Sequence, residues 1–589
     1  MSHYNLNSQA AKAKSDVKGF AIIKRLLALM DEERKNLYIA FFFIFINAGL
    51  SLLAPVLVGY AVDKYVVTKQ FNGVLIIALV LFVMYLLILF LGYTQTMLMG
   101  SVGQRMLFNL RNKIFNKLQE LPVDFFNQNK AGDLISRVNN DTDKLNQFFS
   151  QSLVQFMGSI FTMIGSGVFL LCINFKLGLA ALAPAFLLWI FTKIISPWVK
   201  KSNAVNLKSL GSLSAEIQES LNNFKVIIAF NRRDYFRKRF DEANQENYKT
   251  SVKAGLANNI FWPVYGFMSN IGQLIVLGFG IYLIATGSFS IGLLISFLAY
   301  VSHFYNPLRQ LAALWANFQV ALAGWDRISQ ILSLESNLEV INTTEPISRN
   351  TALMSFKDVS FTYQNGKEVL RDVSFDLEHG KTYAFVGPTG GGKTTTASLI
   401  VRLYDPVAGN VYFNGIDIRS LTAEERSRKI GFILQEPFLF TGTVRDNILY
   451  GNTEYLHISN EELYNHLQET GLDGLLDRFD NGLDTLVSVN GDGISLGQKQ
   501  LIAFMRAVLR KPDLLILDEA TANIDTVTEQ LLESILQKLP PSTTKVIIAH
   551  RLNTIENADE IYFVNSEMVT KAGSLDDAVQ LLMHGKRAS

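Results

Sequence analysis

Two patterns of hydrophobic positions divide the chain. Up to about residue 320, apolar residues run on without charge for lengths that no strand or surface helix needs. A helix needs roughly 20 apolar residues to cross the hydrocarbon core of a bilayer. Six segments reach that length: about 37–60, 74–98, 152–174, 177–198, 257–284 and 289–310. The first, LYIAFFFIFINAGLSLLAPVLVGY, carries no charge at all. Beyond about residue 346, short β-branched runs alternate with glycine-rich turns and amphipathic stretches, the rhythm of an α/β fold. The pattern predicts an all-α, six-helix transmembrane domain over 1–320, a linker over 321–345 and an α/β domain over 346–589.

The connections orient the predicted spans. Those over about 99–151 and 199–256 are long and rich in Lys and Arg, whereas the other three are short and hold only Lys64, Lys69 and Lys176. Positive charge stays on the cytoplasmic side, so both termini and both long loops are expected there. The long loops keep helical periodicity with few breakers, which extends the helices well past the bilayer. Pro55, Pro184 and Pro263 interrupt the spans and need neighbouring helices to satisfy the freed carbonyls.

Polar positions change this picture little. No Asp, Glu, Lys or Arg falls at the centre of a span, which argues against a proton relay or a path built on fixed charges. Asn47, Gln273 and His303 are read as interhelical hydrogen-bonding groups. The aromatic residues Phe41, Phe42, Phe43, Phe90, Phe261, Trp262, Phe297 and Phe304 either line a cavity for apolar cargo or face lipid and neighbouring helices. The first twenty residues are polar and basic with no apolar centre, unlike a cleavable signal peptide.

Composition agrees. The chain is 49% hydrophobic and 18% charged, and a net charge of +2 suggests no nucleic-acid surface. Its single cysteine, Cys172, excludes an intramolecular disulfide and a cysteine-based metal site. A buried packing role is expected of it.

The second half carries the chemistry. GPTGGGKT, Gly387 to Thr394, fits G-x-x-x-x-G-K-[ST] between a strand-like TYAFV and a helix-like TTASLIVRLY. In that context, backbone N–H groups wrap phosphates at the positive end of a helix. The phosphate cradle is Gly387, Pro388, Thr389, Gly390, Gly391, Gly392, Lys393, Thr394 and Thr395. Lys393 is expected to reach the β- and γ-phosphates, and the Thr394 hydroxyl to ligate Mg²⁺. Downstream, DLLILDE drives four aliphatics into Asp518 and Glu519, the pattern of a buried parallel strand ending at an active site. Asp518 is expected in the Mg²⁺ shell and Glu519 as the base that polarises attacking water. A base of this kind contributes ~10²–10⁴ in rate.

With these motifs, the chain resembles the ATP-binding cassette (ABC) transporter family over almost its whole length, as an exporter-type half-transporter. The resemblance implies ATP and Mg²⁺ as cofactors and assigns further residues. Tyr363 in FTYQNG matches the aromatic that stacks on adenine, and Gln435 in GFILQEPFLF the glutamine that reaches Mg²⁺ and water. His550 in IIAHRLNTI matches the histidine that contacts the γ-phosphate. Asp525 closes TANID, the loop that reads the opposite site, where Ala522 and Asn523 depart from the usual Ser-Ala-Leu-Asp. Segments 121–143 and 216–236 resemble the intracellular loops whose tips dock on the nucleotide domains.

One departure bears on assembly. The family signature, usually Leu-Ser-Gly-Gly-Gln, acts on ATP held by the partner. Here it reads Ile494, Ser495, Leu496, Gly497, Gln498, with leucine in place of the first glycine. In a homodimer this change would fall on both sites; in a heterodimer, on one. The asymmetry resembles heterodimeric bacterial exporters with one weak site, and this chain would supply the catalytic glutamate. The other reading is a homodimeric lipid flippase or multidrug exporter that tolerates the leucine. An importer sharing the fold and an ATP-gated channel are further alternatives. The resemblance implies hydrophobic or amphipathic cargo (drugs or lipids), a second half-transporter as partner, and a bacterial cytoplasmic membrane.

Overall fold

The computed structural model describes residues 4–6, 33–336, 338, 340–341, 352–363, 366, 368–488, 493–518, 526–548, 557–565, 567–573, 576–577 and 580–581. It divides into two units. One comprises Asn5–Glu120 and Asn129–Leu334; the other comprises Met1–Tyr4, Leu121–Gln128 and Glu335–Ser589.

The first unit is helical. Its main elements are α1 (Arg34–Ala61), α2 (Phe71–Glu120), α3 (Leu153–Ile173), α4 (Phe175–Asn222), α5 (Arg233–Asn259), α6 (Phe261–Ala285) and α7 (Ile291–Leu332). Among the described residues, six helical stretches are long and apolar enough to cross a membrane, as the hydrophobic runs predict. The helices outlast those runs because their polar extensions keep helical spacing: α2 alone has 50 residues. For the same reason α7 continues to Leu332, twelve residues beyond the limit set from hydropathy at 320. Ala321, Trp325, Ile328 and Ile331 keep one of its faces buried.

Helix α7 runs through the core of this unit. Its Phe297, Tyr300, Val301 and Tyr305 are buried against Leu52 of α1, Leu170 of α3, Ala181 and Leu188 of α4, and Val276 of α6. Two of these tyrosines serve the proline interruptions. Tyr300 donates its hydroxyl hydrogen to the Leu52 carbonyl, three residues before Pro55, and Tyr305 donates to the Ala181 carbonyl at 2.9 Å, three residues before Pro184. Ser296 donates to the Pro55 carbonyl itself at 2.7 Å. The two tyrosines thus place donors one residue past Ser51 and Ala180, whose carbonyls lose their helical N–H partner to Pro55 and Pro184.

At the start of α7 the backbones nearly touch. A Cβ on Gly292 would lie 2.0 Å from the Gly59 carbonyl oxygen, so only glycine fits. Asp63 closes this junction by accepting the Gly292 N–H at 2.7 Å. Asn47 and Gln273 make the interhelical bonds expected of them, to the Ile88 carbonyl at 3.5 Å and the Ser302 hydroxyl at 3.0 Å; His303 is half-buried on α7.

Two apolar expectations divide differently. Cys172 is exposed, not buried. In a membrane helix the outer face is apolar too, so an apolar neighbourhood in sequence does not mark the interior. Of the aromatics, Phe297 is buried, while Phe42, Phe90 and Trp262 are exposed on the helix exteriors.

A buried ionic cluster ties the stretch before α3 to the end of α7. The Arg137 guanidinium, 2% exposed, donates to Asp133 at 3.0 Å, to the Arg327 carbonyl at 2.6 Å and to Gln330 at 3.0 Å. Arg327 in turn pairs with Asp133 at 2.6 Å and Asp141 at 3.3 Å.

The second unit is the α/β domain. Strands β1 (Ala352–Thr362), β2 (Glu368–Glu378), β4 (Ala408–Phe413) and β5 (Ile416–Asp417) form an antiparallel sheet in the order β2-β1-β4-β5. Strands β3 (Thr382–Val386), β6 (Ile430–Ile433), β9 (Leu514–Asp518), β10 (Thr544–Ile548), β11 (Glu560–Asn565) and β12 (Met568–Ala572) form a second sheet, ordered β12-β11-β3-β10-β9-β6. All its neighbours run parallel except β12. Two short strands, β7 (Gly442–Thr443) and β8 (Leu486–Val487), pair separately. The segment Leu121–Gln128, which follows α2 in the chain, belongs to this unit. Its Phe125 is buried, and the Tyr4 ring meets it edge-on with centroids 6.2 Å apart.

Candidate functional site

In an open parallel sheet, ligands bind beyond the carboxyl ends of the strands. Three predicted segments leave the sheet there: the phosphate loop after β3, Gln435 after β6, and Asp518 as the last residue of β9. Strands β9 and β10 are adjacent, with Asp518 opposite Ile548. Glu519, Asp525 and His550, with Ala522 and Asn523, lie outside the described residues.

The phosphate loop owes its path to its glycines. Gly387 has φ 147°, and a Cβ there would sit 2.0 Å from the Val564 carbonyl oxygen of β11. Gly392 caps α8 (Lys393–Ile400) with φ 112°, a left-handed geometry that side chains disfavour. Thr389 and Gly390 are exposed at the crest, whereas Gly391 and Gly392 are buried. Lys393 is 6% exposed, and its ammonium donates to the loop carbonyls of Gly387 at 2.8 Å and Pro388 at 3.1 Å. The loop therefore curls around the cation. Thr394 faces outward beside it, while Thr395 and Thr396 turn into the core.

Asp518 is 3% exposed, and α8 packs against its strand. A carboxylate and a hydroxyl are the hard oxygen donors that Mg²⁺ takes while keeping waters and phosphate oxygens in its shell. Asp518 and Thr394 fit that chemistry, with Gln435 exposed at the end of β6 as a further oxygen donor. Among the described residues, no group of three or more His, Cys, Asp or Glu side chains forms a self-sufficient metal site. A metal shared with a bound phosphate does not require one.

Tyr363 stands half-buried after β1. Its hydroxyl is 3.0 Å from Thr395 Oγ1, and its ring meets Phe361 edge-on, with centroids 4.9 Å apart at 87°. Tyr404 meets the same ring at 5.6 Å and 87°. Sequence reasoning did not single out Tyr404, because no local spacing connects it to Tyr363.

The signature residues open α9 (Leu496–Val508). Ser495 is its N-cap: its Oγ accepts from the Gln498 N–H at 3.2 Å, and Gln498 Oε1 accepts from the Ser495 N–H at 2.9 Å. This is a capping box, legible as Ser-x-x-Gln. Gln498 is tied further by donating to the Arg478 carbonyl at 2.6 Å. Leu496 occupies the first helical position with its side chain 41% exposed. Its backbone is helical, so leucine costs this helix nothing; the added bulk projects outward.

A membrane unit of six apolar helices and a glycine-cradled lysine at the end of a parallel sheet agree with matches to known families. Residues 37–308 match the model described as ABC transporter transmembrane region, and residues 370–522 the model described as ABC transporter. The chain belongs to the ABC transporter family. It is 35% identical over 571 residues to an uncharacterised ABC transporter ATP-binding protein, YfiC, of Bacillus subtilis, covering 97% of this chain and 93% of that one. A fatty acid ABC transporter ATP-binding/permease protein of Mycobacterium tuberculosis is 33% identical, covering 83% of this chain and 77% of its own. A multidrug resistance ABC transporter ATP-binding and permease protein of Lactococcus lactis is 31% identical, over 82% and 81% respectively. This ABC transporter is thus an integral multi-pass membrane protein and an exporter-type half-transporter. Its ATPase domain drives transport.

Proposed function

We propose that this half-transporter exports hydrophobic or amphipathic compounds and works as the catalytic-glutamate subunit of a heterodimer with one weak ATP site. The observation that carries the reading is Leu496. It stands exposed at the first position of α9, where a phosphate held by a partner would approach the helix N-terminus. The capping geometry of Ser495 and Gln498 is intact around it, and this chain's own phosphate loop is complete. The weakness therefore falls on the site completed by the partner's loop.

In the competent site, Lys393 would neutralise the β- and γ-phosphates and Tyr363 would stack on adenine. Thr394, Asp518 and Gln435 would hold Mg²⁺, which spreads the charge of the transferring phosphoryl group. Glu519 would polarise the attacking water, His550 would contact the γ-phosphate, and Asp525 would read the neighbouring site. Uncharged, aromatic-rich helices suit apolar cargo, in keeping with the fatty-acid and multidrug names of the two relatives. The Lys- and Arg-rich long loops support a cytoplasmic placement of both termini, and the bacterial relatives support a bacterial cytoplasmic membrane.

The test is ATP turnover by this chain alone in lipid bilayers, with Glu519→Gln as the blank and nucleotide binding as the control for folding. A chain that binds ATP, stays inactive and becomes active when a second half-transporter is added supports the heterodimer. Robust turnover alone, lost in Glu519→Gln, means that Ile494–Gln498 sustains hydrolysis in a homodimer.

A further inference from the structure

The unit that holds the phosphate loop also holds Leu121–Gln128, a segment that departs from α2 and returns at Asn129. Asn127 Nδ2 in that segment donates to the Tyr404 hydroxyl oxygen at 2.7 Å. The Tyr404 ring stands edge-on to Tyr363, and Phe361 packs on both, at 5.5 Å from Tyr404 and 4.9 Å from Tyr363. The backbone around Tyr404 is held independently. Arg402, 3% exposed with φ 54°, pairs with Asp405 at 2.8 Å and donates to the Arg419 carbonyl at 3.2 Å. Burial raises the Tyr404 phenol above its usual value, so it stays neutral and keeps its hydroxyl hydrogen. A cavity of about 130 Å³, lined by Pro122, Asp124, Tyr363, Tyr404 and Val407, borders the two tyrosine rings. The backbone is held, and Asn127 ties the Tyr404 hydroxyl beside that space.

We propose that Tyr404 is a positioning residue for the adenine platform, and that Asn127, through Tyr404, sets how tightly this chain binds the base of its nucleotide. The proposal rests on Tyr363 as that platform. An aromatic platform contributes most when its ring is already fixed before the ligand arrives, because the ordering cost is then not taken from binding. Asn127 holds Tyr404, Tyr404 packs at right angles against the Tyr363 ring, and Thr395 Oγ1 holds the Tyr363 hydroxyl. Phosphate affinity comes from the loop backbone and Lys393, and this chain of contacts reaches the cradle at the Thr395 hydroxyl, on a residue that turns into the core.

The experiment measures displacement of a fluorescent nucleotide from the full-length chain in lipid nanodiscs, by MgATP and by magnesium tripolyphosphate, which has no base. Tyr404→Phe keeps the ring and removes the hydroxyl, and Asn127→Ala removes its partner. Each is expected to weaken MgATP about threefold, the scale of one partly solvated hydrogen bond. The double variant is expected to be no weaker than either single, and tripolyphosphate to be unchanged throughout. Tyr363→Ala should weaken MgATP about tenfold without affecting tripolyphosphate. Multiplying losses in the double variant overturn the proposal, as does an equal loss for tripolyphosphate. If Tyr363→Ala weakens MgATP while Tyr404→Phe and Asn127→Ala do not, the positioning role fails and the platform stands. If Tyr363→Ala leaves MgATP unchanged, the platform reading fails and the proposal falls with it.

Discussion

The Tyr305 hydroxyl donates to the Ala181 carbonyl at 2.9 Å, in the helical turn disrupted by Pro184. Tyr300, five residues earlier on α7, does the same for Leu52 in the turn disrupted by Pro55. One helix thus supplies donors to two proline-containing neighbours, in a medium where no water replaces a lost hydrogen bond.

Tyr300→Phe and Tyr305→Phe should each lower stability by about 1 kcal/mol, the scale of interhelical hydrogen bonds in membranes. The two bonds serve different helices, so the double variant should show the sum within about 0.5 kcal/mol. Thermal unfolding in nanodiscs measures this, and two unchanged midpoints would mean that neither tyrosine–carbonyl bond contributes to stability.

The contact of Gly59 with Gly292 allows no side chain. Gly292→Ala would bring a methyl group to 2.0 Å from a backbone oxygen, and α1 and α7 must separate to admit it. The expected cost is about 1–3 kcal/mol, as for overpacking in a closed core. A variant as stable as the parent would mean that the two helices are not held this close.

Arg137 is a stronger case, because one buried guanidinium serves three acceptors. Arg137→Ala leaves Asp133 with Arg327 and takes this donor from the Arg327 carbonyl and Gln330, which should cost about 1–3 kcal/mol. Arg137→Lys should rescue little of it, since one ammonium cannot reproduce a planar fork spread over three acceptors. Folded yield and unfolding midpoint decide the matter; full rescue by lysine would show that charge alone matters here.

Ser495 and Leu496 separate the structural from the functional part of the signature. Ser495→Ala removes the N-cap and should cost about 1 kcal/mol. Leu496→Gly leaves the cap in place and should cost less than that, because the position lies at the helix end. In the proposed heterodimer, Leu496→Gly should tighten the ATP held by the partner's loop, read as nucleotide occupancy of that site. Unchanged occupancy with a repaired signature would mean that the leucine does not limit that site.

What was legible in the sequence was what short spacings encode. Six apolar runs named the spans, and Gly387 to Thr394 followed by DLLILDE named the ends of β3 and β9 as the nucleotide site, because backbone conformation and strand burial are local consequences of residue type. The capping box of Ser495 and Gln498 lay within the same reach. Contacts between distant segments were not legible. Asn127 meets Tyr404 across 277 positions and Tyr305 meets Ala181 across 124. Nothing in either local pattern names the partner. Cys172 shows the same limit from the other side: in a bilayer both faces of a helix are apolar, so hydropathy locates the span but not its interior. The sequence by itself determined which segments are long and apolar enough to enter the membrane and which loop is the candidate phosphate cradle. Only the tertiary structure decided which tyrosine meets which carbonyl, which arginine is buried, and which residue stands behind Tyr363, because those choices depend on how rigid helices and strands come together.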